Sequence, residues 1–201
     1  MSDRPFHIAG IILAAGLGSR FDSSGQRYKL TQRLADNQRV IAASCSAMVK
    51  HVDSLIVVDG ERGKELDDAL AQLSFSIQRV HCADARSGMG ASLKAGLAAS
   101  MQADAWVVGL ADMPYIADAT IAKVCAALRA GSSIVRPFYQ GQLGHPVGIA
   151  ASLRDELLAL PDNAGAAKLI QRHPDMVLRL DVDDPGAVAD IDYVSDIRIA
   201  N

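Results

Sequence analysis

The chain has 201 residues, of which 50% are hydrophobic and 21% are charged, and its formal net charge is -3. This size is typical of one globular domain, and the composition excludes a disordered or fibrous protein. The small negative charge gives no electrostatic reason to expect nucleic acid or an anionic membrane surface as a partner.

The cysteines Cys45, Cys82 and Cys125 are far apart and form no C-x-x-C motif. A disulfide framework or a cysteine-rich zinc site is therefore not indicated. The N-terminus lacks the apolar core of a signal peptide, and no apolar run is long enough to span a bilayer. We predict one cytoplasmic domain over residues 1–201, with no linker or internal repeat dividing it.

Strand-like and helix-like segments alternate along the chain. The short apolar runs with β-branched residues are IAGIIL, SLIVVDG, FSIQRVHCAD, AWVVGLAD, SIVRPFY, HPVGIAA and MVLRLDV. The alanine-rich stretches with helical spacing are VIAASCSAMVKHV, GKELDDALAQL, SLKAGLAASMQ and ATIAKVCAALRAG. This order predicts an α/β fold of three layers, a mostly parallel sheet with helices on both faces. From Ser133 onward, two strands joined by a glycine-containing loop predict an antiparallel excursion.

The segment LAAGLGSR follows the first predicted strand, and its small residues allow a sharp turn that exposes N–H groups to a ligand. It is not a P-loop, because G-x-x-x-x-G-K-[ST] is absent. It is not the dinucleotide fingerprint either, because Phe21 stands where the third glycine belongs. The glycines alone favour a plain turn. Arg20 and Lys29 favour a phosphate cradle, since both cations could neutralise a triphosphate, with Arg27 as a rival for Lys29.

Four later segments carry further candidates. In SGMGASLKAGL, Ser87 is a candidate helix cap. In VVGLADMP, Asp112 ends a strand and could hold Mg²⁺ or cap the turn before Pro114. In GQLGHPVGI, His145 is either structural or part of a site. In DVDDPGAVADID, Asp183 and Asp184 predict a turn before Pro185, and Asp190 and Asp192 follow it.

These segments together resemble the molybdenum cofactor cytidylyltransferase-like, or MobA-like, NTP transferases, whose opening motif is L-A-A-G-x-S-x-R-M-G-x-x-K. The match is LAAGLGSRF, with FDSSGQRY inserted before Lys29. The later stretches G-M-G-x-S-L, G-H-P-V and V-D-D-P-G-x-x-x-D-I-D follow in the family's order. The resemblance implies a Rossmann-like nucleotidyltransferase fold of the nucleotide-diphospho-sugar transferase type.

The resemblance also implies roles for individual residues. Catalytic roles fall to Arg20, Lys29 and Asp112. Mg²⁺, the implied cofactor, would be held by Asp112 and a second aspartate, Asp190, with Asp192 equally available. Gly144 and His145 would bind the acceptor. The implied nucleotide contacts are Leu13, Ala14, Ala15, Gly16, Gly18, Ser19, Arg20, Lys29, Ser87, Gly88, Gly90 and Ser92.

The reaction that this resemblance implies joins CMP from CTP to molybdopterin or molybdenum cofactor and releases pyrophosphate. The alanine in LAAG resembles the cytidylyl branch of the family and favours CTP over GTP. A molybdoenzyme that receives the product is a further expected partner. The alternatives are a different phosphate acceptor, such as a sugar or alcohol phosphate, and a non-catalytic carrier of the cofactor. A nicotinamide dehydrogenase is disfavoured by the missing fingerprint.

Overall fold

The computed structural model describes residues 4–197, so both ends of the predicted domain, residues 1–201, lie outside the described residues. The strands of the described part are β1 (Ile8–Leu13), β2 (Ser54–Asp59), β3 (Gln78–His81), β4 (Ala105–Leu110), β5 (Ile134–Tyr139), β6 (Gln142–Leu143), β7 (Val147–Ala150) and β8 (Val177–Asp181). Its α-helices are α1 (Val40–Val49), α2 (Asp67–Ala71), α3 (Met89–Ala98), α4 (Asp118–Arg129), α5 (Arg154–Leu158) and α6 (Ala166–Arg172). The predicted alternation of strands and helices is confirmed.

The strands form one mixed sheet in the order β3-β2-β1-β4-β7-β5-β6, and β8 pairs with β5. The pairs of β1 with β2 and β4, of β2 with β3 and of β5 with β8 are parallel. β7 runs antiparallel to both β4 and β5. The prediction of a mostly parallel sheet with an antiparallel excursion after Ser133 is therefore confirmed.

Both faces of the sheet are covered, as alternate residues of β1 show. Ile8 and Ile12 pack into a core shared with α1 and α4. Ala9 and Ile11 pack into a second core shared with α3, α5 and α6. Because a central strand of this kind is buried on both faces, it reads as a nearly continuous apolar run. The predicted three-layer α/β fold is confirmed.

The register of the central strands places two candidate segments side by side. Leu13 of β1 is the partner of Leu110 of β4, and the Ala111 amide donates to the Leu13 carbonyl at 3.1 Å. The loop after β1 and the turn after β4 therefore leave the sheet at the same edge, where parallel sheets bind their ligands.

The segment after β8 is anchored to the start of α4 by one buried carboxylate. Asp184 accepts hydrogen bonds from the Gly186 amide at 2.9 Å, the Ala117 amide at 2.9 Å and the Thr120 hydroxyl at 2.6 Å. The predicted turn at Asp184 and Pro185 is confirmed, and the contacts with the start of α4 extend it. Further along, the Ile191 amide donates to the Asp112 carbonyl at 2.9 Å. This closing segment, residues 184–192, thus crosses the edge of the sheet beside Asp112.

The three cysteines are buried and free. Burial raises the pKa of the Cys45 thiol to about 12 and that of the Cys125 thiol to about 11. Within residues 4–197, no helix is long and apolar enough to cross a membrane.

Replacing Asp184 by alanine is expected to lower the free energy of unfolding by about 3 kcal/mol, because two backbone amides and the Thr120 hydroxyl lose a charged acceptor. Asp183→Ala is the matched control, since that neighbouring aspartate is exposed. Chemical denaturation of both variants measures the difference. Equal stability of the two variants would contradict the anchoring role of Asp184.

Candidate functional site

A cavity of about 490 Å³ opens at the carboxyl edge of β1 and β4. Its floor is the end of the two strands, and its walls are the loop of residues 14–20, the start of α3 and the turn after β4. A size of this order suits a small-molecule ligand. The predicted site residues in its lining are Leu13, Ala14, Ala15, Gly16, Gly18, Ser19, Arg20, Lys29, Gly88, Ser92 and Asp112. The structure therefore brings together most of the predicted nucleotide contacts and all three predicted catalytic residues.

The loop after β1 is held in shape from below by Tyr28. Its hydroxyl lies 3.0 Å from the carbonyl oxygens of both Ala14 and Gly16, within donating distance of each. Burial raises the pKa of this phenol, so it stays protonated and keeps its donor. Gly18 has φ +70°, a backbone conformation that favours glycine. These contacts fix the loop and leave the Cβ direction of Gly16 open, with no atom within 4 Å.

Arg62 supports the same loop from its outer side. Its guanidinium stacks on the Tyr28 ring, 4.3 Å from the ring centre, and pairs with Glu65 at 2.6 Å. It also donates to the carbonyl oxygens of Leu17 at 3.4 Å and Gly25 at 3.2 Å. Sequence reasoning missed Tyr28 and Arg62, and only the position of Tyr28 directly before Lys29 could have drawn attention to it.

Four charged side chains from distant parts of the chain meet in the cavity. The Lys29 ammonium lies 2.5 Å from a carboxylate oxygen of Asp112 and 3.5 Å from one of Asp192. Arg20 pairs with the other oxygen of Asp192. The Lys29 side chain is only 11% exposed, whereas that of Arg20 is 70% exposed. A buried ammonium needs such compensation, so the two carboxylates hold Lys29 in place.

Lys29 and not Arg27 is therefore the cation that the structure brings into the cavity. Arg27 is exposed, lies over the Phe21 ring at 5.8 Å and is near Asp22 at 3.6 Å. The inserted segment before Lys29 is a turn organised by Asp22, which accepts from the amides of Ser24 and Arg27 at 3.0 and 2.8 Å. These hydrogen bonds, together with one from the Ser24 hydroxyl, lower the pKa of Asp22 to about 2.

The glycines before α3 are required by close packing. Gly88 has φ +133°, and a Cβ there would lie 2.6 Å from Cα of Asn163. A Cβ on Gly90 would lie 2.4 Å from the Ala164 carbonyl oxygen. Both glycines thus let the start of α3 approach the turn at residues 161–164. Gly88, not Ser87, is the residue that precedes α3, and no side chain caps the helix there.

Of the described residues, five predicted site residues do not line the cavity: Ser87, Gly90, Gly144, His145 and Asp190. Gly144 is buried, and a Cβ there would lie 3.0 Å from the Ala187 carbonyl oxygen. The His145 amide donates to the same Ala187 carbonyl at 2.8 Å. Burial lowers the pKa of the His145 imidazole to about 4, so the ring is neutral at pH 7. Its Nδ1 is buried without a hydrogen-bond partner among the described residues.

Asp112 and Asp192 are the two carboxylates of the cavity lining that contact Lys29, and Asp190 lies close to both. Burial raises the pKa of the Asp190 carboxyl, and the charges of Asp192 and Asp112 add to this effect. Within the described ranges, no group of three or more His, Cys, Asp or Glu is arranged to hold a metal ion. The donor set fits a hard cation that takes its remaining ligands from phosphate oxygens and water, as Mg²⁺ does.

Two further charged residues of the cavity wall were not predicted from the sequence. Glu61 and Arg86 also line the cavity and form an ion pair with each other. This pairing with Glu61 raises the pKa of Arg86. No motif or spacing in the sequence distinguishes these two residues from other surface charges.

Comparisons with known proteins place most of the chain in one family. Residues 10–177 match the family model described as the MobA-like NTP transferase domain. A curated relative, nicotine blue oxidoreductase from Paenarthrobacter nicotinovorans, is 27% identical over an alignment of 195 residues that covers 93% of each protein.

Solved structures show the same fold over nearly the whole chain. Rv0371c from Mycobacterium tuberculosis H37Rv is 26% identical with a TM-score of 0.77, covering 96% of each chain. The same protein has been solved in complex with manganese, at 25% identity and a TM-score of 0.71, covering 94% of this chain and 95% of that one. A nucleotidyl transferase from Methanothermobacter has a TM-score of 0.79 at 23% identity, covering 94% of each chain.

The expected α/β nucleotidyltransferase fold is thus confirmed, and the family match covers most of the chain, including the loop after β1, Lys29 and Asp112. The chain belongs to the MobA-like NTP transferase domain family.

Proposed function

We propose that this protein transfers CMP from CTP to the terminal phosphate of molybdopterin or molybdenum cofactor and releases pyrophosphate, with Mg²⁺ as cofactor. The observation that carries the proposal is the position of the Lys29 ammonium between Asp112 and Asp192, directly beside the glycine loop. This arrangement places cations, exposed amides and two carboxylates around one cavity. Membership of an NTP transferase family supports the same chemistry.

In the proposed reaction, an oxygen of the acceptor phosphate attacks the α-phosphorus of CTP. A new P–O bond forms, the bond from the α-phosphorus to the bridging β-oxygen breaks, and pyrophosphate leaves with the electron pair. Such transfers depend mainly on positioning and on stabilising charge, which the fixed loop and the surrounding cations supply.

The loop residues and the two cations would hold the leaving group. Amides in the segment from Gly16 to Ser19 would donate to its phosphate oxygens, and the guanidinium fork of Arg20, which also lines the cavity, would pair with them. Lys29 would donate to phosphate oxygens from its place between the carboxylates. When CTP binds, Arg20 and Lys29 would donate to phosphate oxygens while keeping their carboxylate partners. The two cations would thus offset part of the cost of bringing the phosphates close to the carboxylates.

Asp112 is the proposed metal ligand, with a second carboxylate from the segment of Asp190 and Asp192. Mg²⁺, when bound, neutralises charge on the α-phosphate as the transfer proceeds. The manganese complex of the relative Rv0371c supports a divalent metal ion at sites of this family. Of the two aspartates, Asp192 lines the cavity and contacts Lys29, and Asp190 is the neighbouring candidate.

The remaining predicted contacts complete the proposal. Gly88, Gly90, Ser92 and Ser87 at the start of α3 would lie against the base and ribose, and the LAAG sequence of the loop favours CTP. Gly144 and His145 would belong to the acceptor side, where the free Nδ1 of the neutral imidazole can accept a hydrogen bond. A molybdoenzyme would then receive the product.

A second candidate function is supported by one comparison. The relative from Paenarthrobacter nicotinovorans is named as an oxidoreductase and covers 93% of this chain, so an oxidoreductase activity is the competing candidate within this family. Transfer to a different phosphate acceptor and non-catalytic carriage of the cofactor are two further candidate functions. All of them can be separated by the products that the protein releases.

The test of the proposed function offers CTP, GTP, ATP and UTP separately, with Mg²⁺ and molybdenum cofactor, and measures pyrophosphate. We expect release with CTP alone and only when the acceptor is present. Release with another nucleotide would contradict the base assignment. NADH oxidation by the same protein, with no pyrophosphate from any nucleotide, would favour the oxidoreductase.

Asp112→Asn is expected to slow pyrophosphate release roughly 100-fold or more, because the charge that holds the metal ion is removed while the side-chain volume is kept. Asp118→Asn is the control, since Asp118 is an exposed aspartate that also pairs with a lysine, Lys50, at 2.7 Å. Steady-state rates at saturating CTP and Mg²⁺ compare the two. A carrier would release no pyrophosphate in any variant.

The second metal ligand is identified by comparing Asp192→Asn with Asp190→Asn. Because Asp192 faces the cavity and contacts Lys29, its replacement is expected to raise the Mg²⁺ concentration needed for half-maximal rate more than that of Asp190. A Mg²⁺ titration of the rate measures both. The opposite order would assign the second ligand to Asp190.

A further inference from the structure

A cation on β5, beside Gly144, has no carboxylate partner among the described residues. Arg136, on β5, is partly buried, and its Nε donates to the Gly144 carbonyl at 3.3 Å. Among the described residues, no carboxylate lies within ion-pair distance of its guanidinium. Burial lowers the pKa of Arg136, whereas the carboxylate partners of Arg62 and Arg86 raise the pKa of those two arginines.

An arginine on the adjacent strand, by contrast, has both a carboxylate and an aromatic partner. Arg179, on β8, is the register partner of Arg136. It pairs with Asp181 at 2.9 Å and stacks on the Phe138 ring at 4.1 Å. Arg136 has neither kind of partner among the described residues. A partly buried guanidinium without a counter-charge costs free energy, which an anionic ligand would offset.

The position of Arg136 relative to Asp112 indicates which anion it could bind. Two contacts place His145 between these residues. Arg136 donates to the carbonyl of Gly144, which directly precedes His145. The register of β7 with β4 pairs Val147 with Val108, so His145 lies beside the end of β4 and the turn that carries Asp112. The neutral imidazole adds no counter-charge to Arg136. Arg136 and His145 are outside the lining of the main cavity, which ends at Asp112.

In-line displacement at phosphorus requires the attacking group to approach opposite the leaving group. In the proposed reaction the loop with Arg20 and Lys29 holds the leaving pyrophosphate, so the attacking phosphate needs a binding group on another side. We propose that Arg136 binds the terminal phosphate monoester of the acceptor and holds it for attack. This inference rests on the proposed nucleotidyl transfer, and it adds Arg136 to the acceptor side as the residue that selects an anionic acceptor.

The first test uses inorganic phosphate as the probe and needs no turnover. Calorimetry with the wild-type protein is expected to detect a phosphate site that Arg136→Gln weakens roughly 10- to 100-fold, the range for losing a charge-assisted contact. Arg179→Gln, the matched control, is expected to bind phosphate within about twofold of wild type, because Arg179 is already paired. Equal binding by Arg136→Gln and wild type, or no phosphate binding by wild type, would overturn the proposal.

The second test measures steady-state kinetics. In Arg136→Gln, the KM for the phosphorylated acceptor is expected to rise roughly 10- to 100-fold while the KM for CTP stays within about twofold. Arg136→Lys keeps the charge without the guanidinium fork and is expected to restore part of the affinity. It also serves as the variant of choice if Arg136→Gln has a lowered melting temperature.

The two tests fail independently. Turnover by wild type with an unchanged acceptor KM in Arg136→Gln would overturn the role of Arg136 and leave the nucleotidyl transfer in place. Absence of turnover by wild type would overturn the proposed function, and the phosphate titration would still decide whether Arg136 binds an anion.

Discussion

The contact of the Lys29 ammonium with Asp112 and Asp192 is the interaction on which the site depends. It joins a turn before α1, the edge of the central sheet and the closing segment, which are far apart in the sequence. Removing an ammonium from water is costly, and two carboxylates compensate for it only if they are held in position. The sheet register holds Asp112, and the anchor at Asp184 holds the segment that carries Asp192.

The loop after β1 is held in shape by two side chains that are not part of the cavity lining. Its glycines give the backbone freedom to turn, and the hydroxyl of Tyr28 and the guanidinium of Arg62 remove that freedom again. In the proposed function, the amides are thereby fixed before a phosphate binds, so binding requires little further ordering of the loop. The glycines thus allow the backbone conformation of the loop, and the contacts with Tyr28 and Arg62 keep the loop in that conformation.

The alternation of short apolar runs with alanine-rich stretches was enough to predict the layers, because central parallel strands and their covering helices have distinct periods and lengths. The glycine loop and Asp112 meet because each follows a parallel strand, and parallel strands end at the same edge of a sheet. The start of α3 at Met89, earlier than the predicted stretch, depended on tertiary packing of Gly88 and Gly90 against residues 161–164. Likewise, Asp190 and Asp192 could not be separated, since their segment has no periodicity and its direction is set by contacts with Asp112 and Ala117.

The long sequence separation within the site has a consequence for the newly made chain. Lys29 and Asp192 are 163 positions apart, so at ribosomal rates Lys29 is synthesised roughly 8 to 33 s before its partner. During that interval the first half of the site exists as a glycine loop and an ammonium that is not yet fully compensated. A nascent chain therefore cannot engage nucleotide in the finished geometry until the closing segment has emerged and docked. The site is therefore complete only after the sheet beneath it has assembled.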